Sequence, residues 1–383
     1  MSKTVILLGS DHYNAIGIVQ CLGREGFSVI AVIRGKKKGA LIAASRFLTD
    51  IYEADDFNQA IDIIATQLVQ EQPTVIIPCG DEAALVLEQN SERLKGNFIY
   101  QHSSKDYPLS MLMNKHIQAS LASECGFHVP QSIEVNSKLQ PDCNIELPCI
   151  IKPLLSCEGD KMDICIANSK FEMQDKVNKL LTRSPRVLVQ HFIGSGGKTE
   201  LNILGCGLNN GNCIVPLCIE KVRVHPSGTG SVSLCKVKPF SDYHSNIIEN
   251  IKKLINKIGY IGLFSIELLC ENDSGKIFFI EMNLRNDALN SFIAKSGVNL
   301  PLIHYSDITG QLLPDYKPVK KEQLMICEPI HLSSMLHGGI SIIEWTRDII
   351  NSDSFILYDS KDKKVFFLQF IYKIRDKIKK LLP

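Results

Sequence analysis

The chain has 383 residues, 45% of them hydrophobic and 22% charged, the composition of a soluble globular protein with two or three domains and ample core. Its 42 Lys and Arg against 41 Asp and Glu leave no electrostatic footprint for nucleic acid, so no nucleic-acid partner is expected. No apolar run approaches the ~20 residues of a membrane helix, no signal peptide opens the chain, and thirteen cysteines without a CxxC pair read as free thiols in a reducing cytoplasm.

Residues 4–8 are a fully apolar run that predicts a buried parallel strand. Gly9-Ser10-Asp11 follows, then a helical pattern through Ile16, Val19 and Leu22 to Gly26. Phe27 to Ile33 reads as a strand, Asp56 to Gln70 as a helix, Val75 to Pro78 as a strand and Glu82 to Leu94 as a helix. This alternation predicts a doubly wound α/β domain to about residue 105. Ligands bind such sheets beyond the strand C-termini, which makes Ser10 and Asp81 candidate contacts. After Gly9 the next glycine is Gly17, so the loop is not GxGxxG and no dinucleotide is expected.

Asn114 to Cys125 reads as a helix closed by Gly126. Leu147 to Pro153 is a strand carrying one inward lysine, Lys152, which needs a partner or a ligand there. A loop of small and polar residues, Ser156 to Lys161, precedes a strand at Met162 to Ile166 and a helix at Phe171 to Leu181. Val187 to Ile193 is a strand running into Gly194. Gly197-Lys198-Thr199 resembles the end of a P-loop, but Phe192 stands where its first glycine belongs. Gly205-Cys206-Gly207 has Asn210 in place of a third glycine, and both stretches read as turn glycines. Glu200 to Leu204, Cys213 to Val222 and Val232 to Val237 are predicted antiparallel strands, and Ile247 to Ile258 a helix closed by Gly259. Beyond Gln311 the pattern weakens. Glu328 to Met335 and Ser354 to Phe367 are read as strands, and Ile371 to Leu382 as a basic helix, solvated or in weak contact with an anionic membrane surface.

Between these lies a hairpin. Two apolar runs flank the turn residues Asn272-Asp273-Ser274-Gly275. Symmetry about Ser274 sets Glu267 opposite Glu281, with Asn283 on the same face and Ile266, Leu268, Ile280 and Met282 on the other. Facing carboxylates repel unless a cation sits between them, and carboxylate and amide oxygens suit magnesium.

The segments Pro148-Cys149-Ile150-Ile151-Lys152-Pro153 and Ile280-Glu281-Met282-Asn283-Leu284-Arg285, with the order of elements around them, resemble the ATP-grasp superfamily of carboxylate–amine (or thiol) ligases. That group includes D-aspartate ligase and carbamoyl-phosphate synthase large-subunit-like proteins, and the resemblance covers residues 1–312. It implies a mixed α/β and α+β chain: a Rossmann-like pre-ATP-grasp parallel-sheet domain at 1–105, an ATP-grasp domain at 106–312 with its lid near 130–195, and a small segment at 313–383. By resemblance, Lys115 contacts phosphate and Lys152 reaches the α/β-phosphates and the adenine side. Ser156, Gly159 and Lys161 belong to the lid over the triphosphate. Gln190, His191, Phe192 and Ile193 match the hinge that reads adenine through backbone groups, and Glu200 falls near the ribose. Glu267, Glu281 and Asn283 match the ligands of Mg²⁺, with Mn²⁺ as a substitute, and Arg285 lies beside the transferring phosphate. The chain departs from the family in a lid with Gly159 as its one glycine, and in Gln190 and His191 where an acid is common.

The implied reaction is ATP-dependent activation of a carboxylate as an acyl phosphate, followed by attack of an amine. Alternation along Glu220 to Arg223 places Lys221 and Arg223 on one face, so Arg223 is expected to hold a substrate carboxylate while Arg285 steadies the γ-phosphate. Carboxyphosphate chemistry, as in carboxylases, and a nucleotide-binding regulatory protein without turnover are the alternatives. The expected partners are a small carboxylate and an amine, and a homodimer is compatible with this reading.

Overall fold

Apolar run Thr4–Ser10 forms β1, the middle strand of a five-stranded parallel sheet in the computed structural model, which describes residues 3–136, 144–155, 163–194, 197–227, 230–240 and 245–381. With β2 (Ser28–Arg34), β3 (Leu48–Ala54), β4 (Thr74–Pro78) and β5 (Phe98–Tyr100) the order is β3-β2-β1-β4-β5. The order reverses between β1 and β4, so the loops leaving those strands open a crevice there. The helices Tyr13–Gly23 and Asp81–Gln89 start at that crevice. Neither β3 nor β5 was predicted. β3 is an edge strand with Thr49 and Asp50 exposed, so its apolar signal is diluted, and β5 has only three residues.

A second sheet is antiparallel, with β6 (Ser132–Val135), β7 (Cys149–Pro153), β8 (Cys165–Ala167) and β9 (Val187–His191) in the order β6-β9-β7-β8. Met173, Val177 and Leu180 of the helix Lys170–Leu181 pack on Cys149 and Ile151, one face of β7. Ile150 and Lys152 therefore face the other way, towards the cavity described below.

The largest sheet has eight strands: β10 (Lys198–Gly207), β11 (Cys213–Ile214), β12 (Cys218–His225), β13 (Ser231–Lys238), β14 (Gly262–Glu271), β15 (Ile277–Asn283), β16 (Gln323–Ile326) and β17 (Ser354–Phe355). Its order is β15-β14-β10-β12-β13-β16-β17, with β11 beside β10. Ile247, Ile251, Leu254, Ile255 and Ile258 line up at helical spacing and bury against it. Gly205 and Gly207 are not turn glycines but lie inside β10. A Cβ on Gly205 would stand 2.4 Å from the Phe264 ring, and one on Gly207 2.2 Å from the Tyr260 carbonyl oxygen. Gly197, at φ +104, does turn the chain into β10.

The C-terminal stretch corrects the sequence reading. Glu328–Leu336 is a helix, begun by Pro329 in its first turn and burying Pro329 and Leu332. Within 354–367 only Ser354–Phe355 is a strand, and the final helix starts at Lys363, not Ile371. The Val365-Phe366-Phe367 run belongs to the start of this helix. One core cluster joins Val5 and Ile16 of the first sheet layer to Leu204 and Val237 of the third, and to Met325, Ile356 and Val365. Among the described residues, no helix is long and apolar enough to cross a membrane.

Candidate active site

The site is organised by the β14–β15 hairpin. Glu267 lies opposite Glu281 and Ser265 opposite Asn283, as the symmetry about Ser274 predicts. The register is not uniform, however: Leu268 opposes Phe279, so Ile280 is the extra residue of a bulge. The bulge turns Phe279 into the core and puts half-buried Ile280 beside Glu281 on the cavity wall, a correction to its predicted packing face.

A cavity of about 360 Å³ lies over this hairpin, between the second and third sheets. Lys115, Lys152, Glu200, Lys221, Glu267, Glu281, Asn283 and Arg285 all line it. Lys115 opens the helix Lys115–Glu124, whose cap is the Asn114 side chain accepting from the N–H groups of His116 and Ile117. The Lys115 N–H donates to the Leu154 carbonyl, which ties the helix start to the end of β7 and brings Lys115 close to Lys152.

The charges are interlocked. Lys115 Nζ is 3.8 Å from Glu281 Oε1. Lys221 Nζ stands 3.1 Å from Glu267 Oε2 and 3.4 Å from Glu200 Oε2, and Lys198 Nζ is 3.0 Å from Glu200 Oε1. Burial opposes the charge on Lys221, but Glu267 and Glu200 outweigh it and hold that ammonium well above its ordinary pKa. Lys152 goes the other way. Burial, then repulsion from Lys115, pulls it down to about 8, against the attraction of Glu281 and Glu267. Its Nζ donates to Gln190 Oε1 at 3.2 Å.

A smaller cavity of about 250 Å³ adjoins the first and shares Asp81, Lys221, Gly230, Glu267, Arg285 and Asp287 with it. Arg285 Nε donates to Asp81 Oδ1 at 3.1 Å, and its Nη1 to Asp287 Oδ2 at 3.2 Å. Burial disfavours the charged guanidinium, yet Asp81 and Asp287 raise its pKa above the ordinary value. Asp81 is the first residue of the helix after β4, so the crevice of the parallel sheet meets the hairpin here. Asn14 fixes that meeting by donating to the carbonyls of Cys79 at 3.1 Å and Asn286 at 2.9 Å. Ser10, the other predicted loop contact, is exposed and lines neither cavity.

Sequence reasoning missed Asp287, His12, Tyr13 and Asn202, all of which line the smaller cavity. Asn202 sits opposite Glu267 across β10 and β14 and is only 3% exposed. Its Oδ1 has no hydrogen-bond partner among the described residues. Its place two residues beyond Glu200 on a strand was the available signal.

Arg223 is not part of this arrangement. The β12–β13 register shifts on both sides of Arg223, which breaks the alternation with Lys221. Arg223 Nη1 bonds Asp348 Oδ2 at 2.5 Å, and Arg223 lines neither cavity. We expect Arg223→Ala to leave substrate KM values within twofold of wild type while thermal melts show a loss of about 1.5–3 kcal/mol, because buried Asp348 loses its charged partner.

Gln190, His191, Phe192 and Ile193, predicted as the hinge, line neither cavity. The N–H groups of His191 and Phe192 already donate to the carbonyls of Gln131 and Pro148, each at 2.8 Å. The Phe192 ring lies 5.3 Å from Lys198 Nζ. The predicted lid residues Ser156, Gly159 and Lys161 lie outside the described residues.

Among the described residues, no group of three or more His, Cys, Asp or Glu side chains is arranged to hold a metal. Of the groups lining the larger cavity, those on the hairpin are two carboxylates and an amide, Glu267, Glu281 and Asn283. Asn283 Nδ2 donates to Ser265 Oγ at 3.4 Å, so its Oδ1 is the atom it can offer a cation. An all-oxygen set of this size fits Mg²⁺, which keeps water and substrate phosphate among its ligands.

Residues 114–305 match the family "Carbamoyl-phosphate synthase L chain, ATP binding domain". The chain is 24% identical over 335 residues to a formate-dependent phosphoribosylglycinamide formyltransferase of Ignicoccus hospitalis, covering 82% of this chain and 78% of that protein. It is 24% identical over 242 residues to a D-aspartate ligase of Enterococcus faecium, covering 59% of this chain and 56% of that one. A solved structure, N5-carboxyaminoimidazole synthetase from Staphylococcus aureus complexed with ADP, superposes with a TM-score of 0.67 at 17% identity, covering 85% of this chain and 82% of the other.

Proposed function

The chain belongs to the carbamoyl-phosphate synthase L chain ATP-binding family, a branch of the ATP-grasp ligases that use ATP and Mg²⁺, and we propose that it joins a small carboxylate to an amine. The observation that carries this reading is the pair of adjoining cavities. One collects lysines around a carboxylate pair, as a triphosphate and its metal require, and the other is rich in acceptors. The D-aspartate ligase relative supports the amine outcome.

In this reading Lys115 and Lys152 bind and orient the phosphates, offsetting the charge that would repel a carboxylate nucleophile. Glu267, Glu281 and Asn283 would hold Mg²⁺, which would supply positive charge against the phosphates. A substrate carboxylate oxygen bonds to the γ-phosphorus, and the bond to ADP breaks. The amine nitrogen then bonds to the acyl carbon, inorganic phosphate leaves, and the nitrogen gives up a proton. Arg285, held by Asp81 and Asp287, is placed to steady the transferring phosphoryl group. Asp81, Asp287 and the Asn202 oxygen are acceptors, which suits an amine in the smaller cavity.

The test is ADP release from ATP and Mg²⁺ against a panel of carboxylates and amines. ADP formation should require a carboxylate, and hydroxylamine in place of the amine should trap the acyl group as a hydroxamate. ADP release that no carboxylate stimulates would overturn the reading. Asn202→Ala should raise KM for the amine about tenfold with KM for ATP unchanged, since one hydrogen bond to a polar ligand is lost. Steady-state kinetics with each substrate varied checks this.

A further inference from the structure

The helix Lys363–Leu381 carries two apolar faces. The inner one, Val365, Leu368 and Tyr372, packs on the core and anchors the helix. The outer one is Phe367, Ile371 and Ile374, which are 57%, 56% and 47% exposed. Their spacing of four and then three residues makes a single stripe along the helix. At 100° per residue, Lys364 and Arg375 border the stripe on one side and Lys363 on the other.

The charge of this part of the chain is segregated. Residues 361–383 hold eight Lys and Arg against two Asp, while the whole chain is nearly neutral at +1. An exposed apolar stripe edged by basic residues with long alkyl stems is the pattern of a helix that lies in a bilayer interface rather than across it. Anionic headgroups match the positive charge that Lys363 and Lys364 place at the edges of the stripe.

We propose that this helix docks the protein on an anionic lipid bilayer, with Phe367, Ile371 and Ile374 entering the headgroup–acyl boundary. A cavity of about 450 Å³ beneath the helix is lined by Gln369, Tyr372 and Lys373 together with His12, Tyr13 and Ser231. The last three also line the smaller active-site cavity. The docking itself does not rest on the reaction proposed above.

The full chain is sedimented with phosphatidylcholine vesicles with and without phosphatidylglycerol. It should pellet with the anionic vesicles, stay in solution with phosphatidylcholine alone, and be released by salt. Ile371→Glu with Ile374→Glu should lower vesicle affinity by roughly tenfold or more, because two charges replace apolar groups at the interface. Both side chains are exposed, so the thermal melt and basal ADP release of this variant should match wild type. Ile343→Glu, on the separate exposed face of the helix Ile342–Asn351, should bind as wild type does. Absence of anionic-vesicle binding, wild-type binding by the double variant, or loss of binding in Ile343→Glu would each overturn the proposal. So would a lipid-free dimer that the double variant dissociates, since a second copy would then be the occupant.

Discussion

Replacing Glu281 by glutamine is expected to lower ATP-dependent turnover by about a hundredfold or more, which corresponds to roughly 2.7 kcal/mol at the transition state. Glu281 and Glu267 face each other across β14 and β15 and are the two carboxylates of the proposed magnesium set. Glutamine keeps the shape and one oxygen but removes the charge a hard cation needs. Stability should hardly change. Facing carboxylates considered alone predict relief of repulsion and a gain on neutralisation. In the folded protein Lys115 lies 3.8 Å from Glu281 and Lys221 3.1 Å from Glu267, so the variant loses an attraction along with the repulsion. With Glu281 partly exposed, the net effect should be about 1 kcal/mol or less. ADP release, Mg²⁺ titration and a thermal melt on the same preparation check the three statements. Turnover within twofold of wild type at any Mg²⁺ concentration would remove the hairpin from the metal site.

The parts of this site that could be read in the sequence are those governed by local rules. Turn residues at 272–275 and period-two alternation were enough to pair Glu267 with Glu281. A lysine inside the apolar run 149–153 was enough to mark Lys152, because such a residue needs a partner. What escaped depends on other strands. The bulge at Ile280 and the register shifts around Arg223 are features of the pairing between strands, and a single strand's pattern does not report them. Arg223 was misplaced for that reason. Asp287 was missed, and Asn202 left unmarked despite its spacing from Glu200, because their roles depend on groups distant in sequence: Asp287 shares Arg285 with Asp81, 206 residues away, and Asn202 stands across from Glu267. The start of the final helix was missed for a third reason. Phe- and Val-rich runs carry strand propensity, and tertiary packing through Val365 and Leu368 overrides it.

Lys152→Met is expected to weaken ATP binding by about ten- to a hundredfold, the cost of one charge-assisted contact to phosphate. The pH dependence is the sharper test. In the nucleotide-free protein burial and Lys115 hold the Lys152 pKa at about 8, against an ordinary value of 10.5. A bound triphosphate favours the ammonium form and raises that pKa. Binding should therefore take up protons between about pH 8 and 10, and ATP affinity should fall as pH rises through that window. Calorimetry in buffers of different ionisation enthalpy reads the uptake directly, and Lys152→Met should abolish it. Stability has the opposite sign. Because the folded-state pKa lies below the unfolded one, the unfolded chain binds more protons between about 8 and 10.5, and the cost of burying the charge is full below that range. In the absence of nucleotide, wild type should thus gain stability relative to Lys152→Met as pH rises from about 8 to 10.5. Wild-type ATP affinity in the variant, with no proton uptake in either protein, would show that Lys152 is a buried structural lysine held by Gln190 and that the phosphates bind elsewhere.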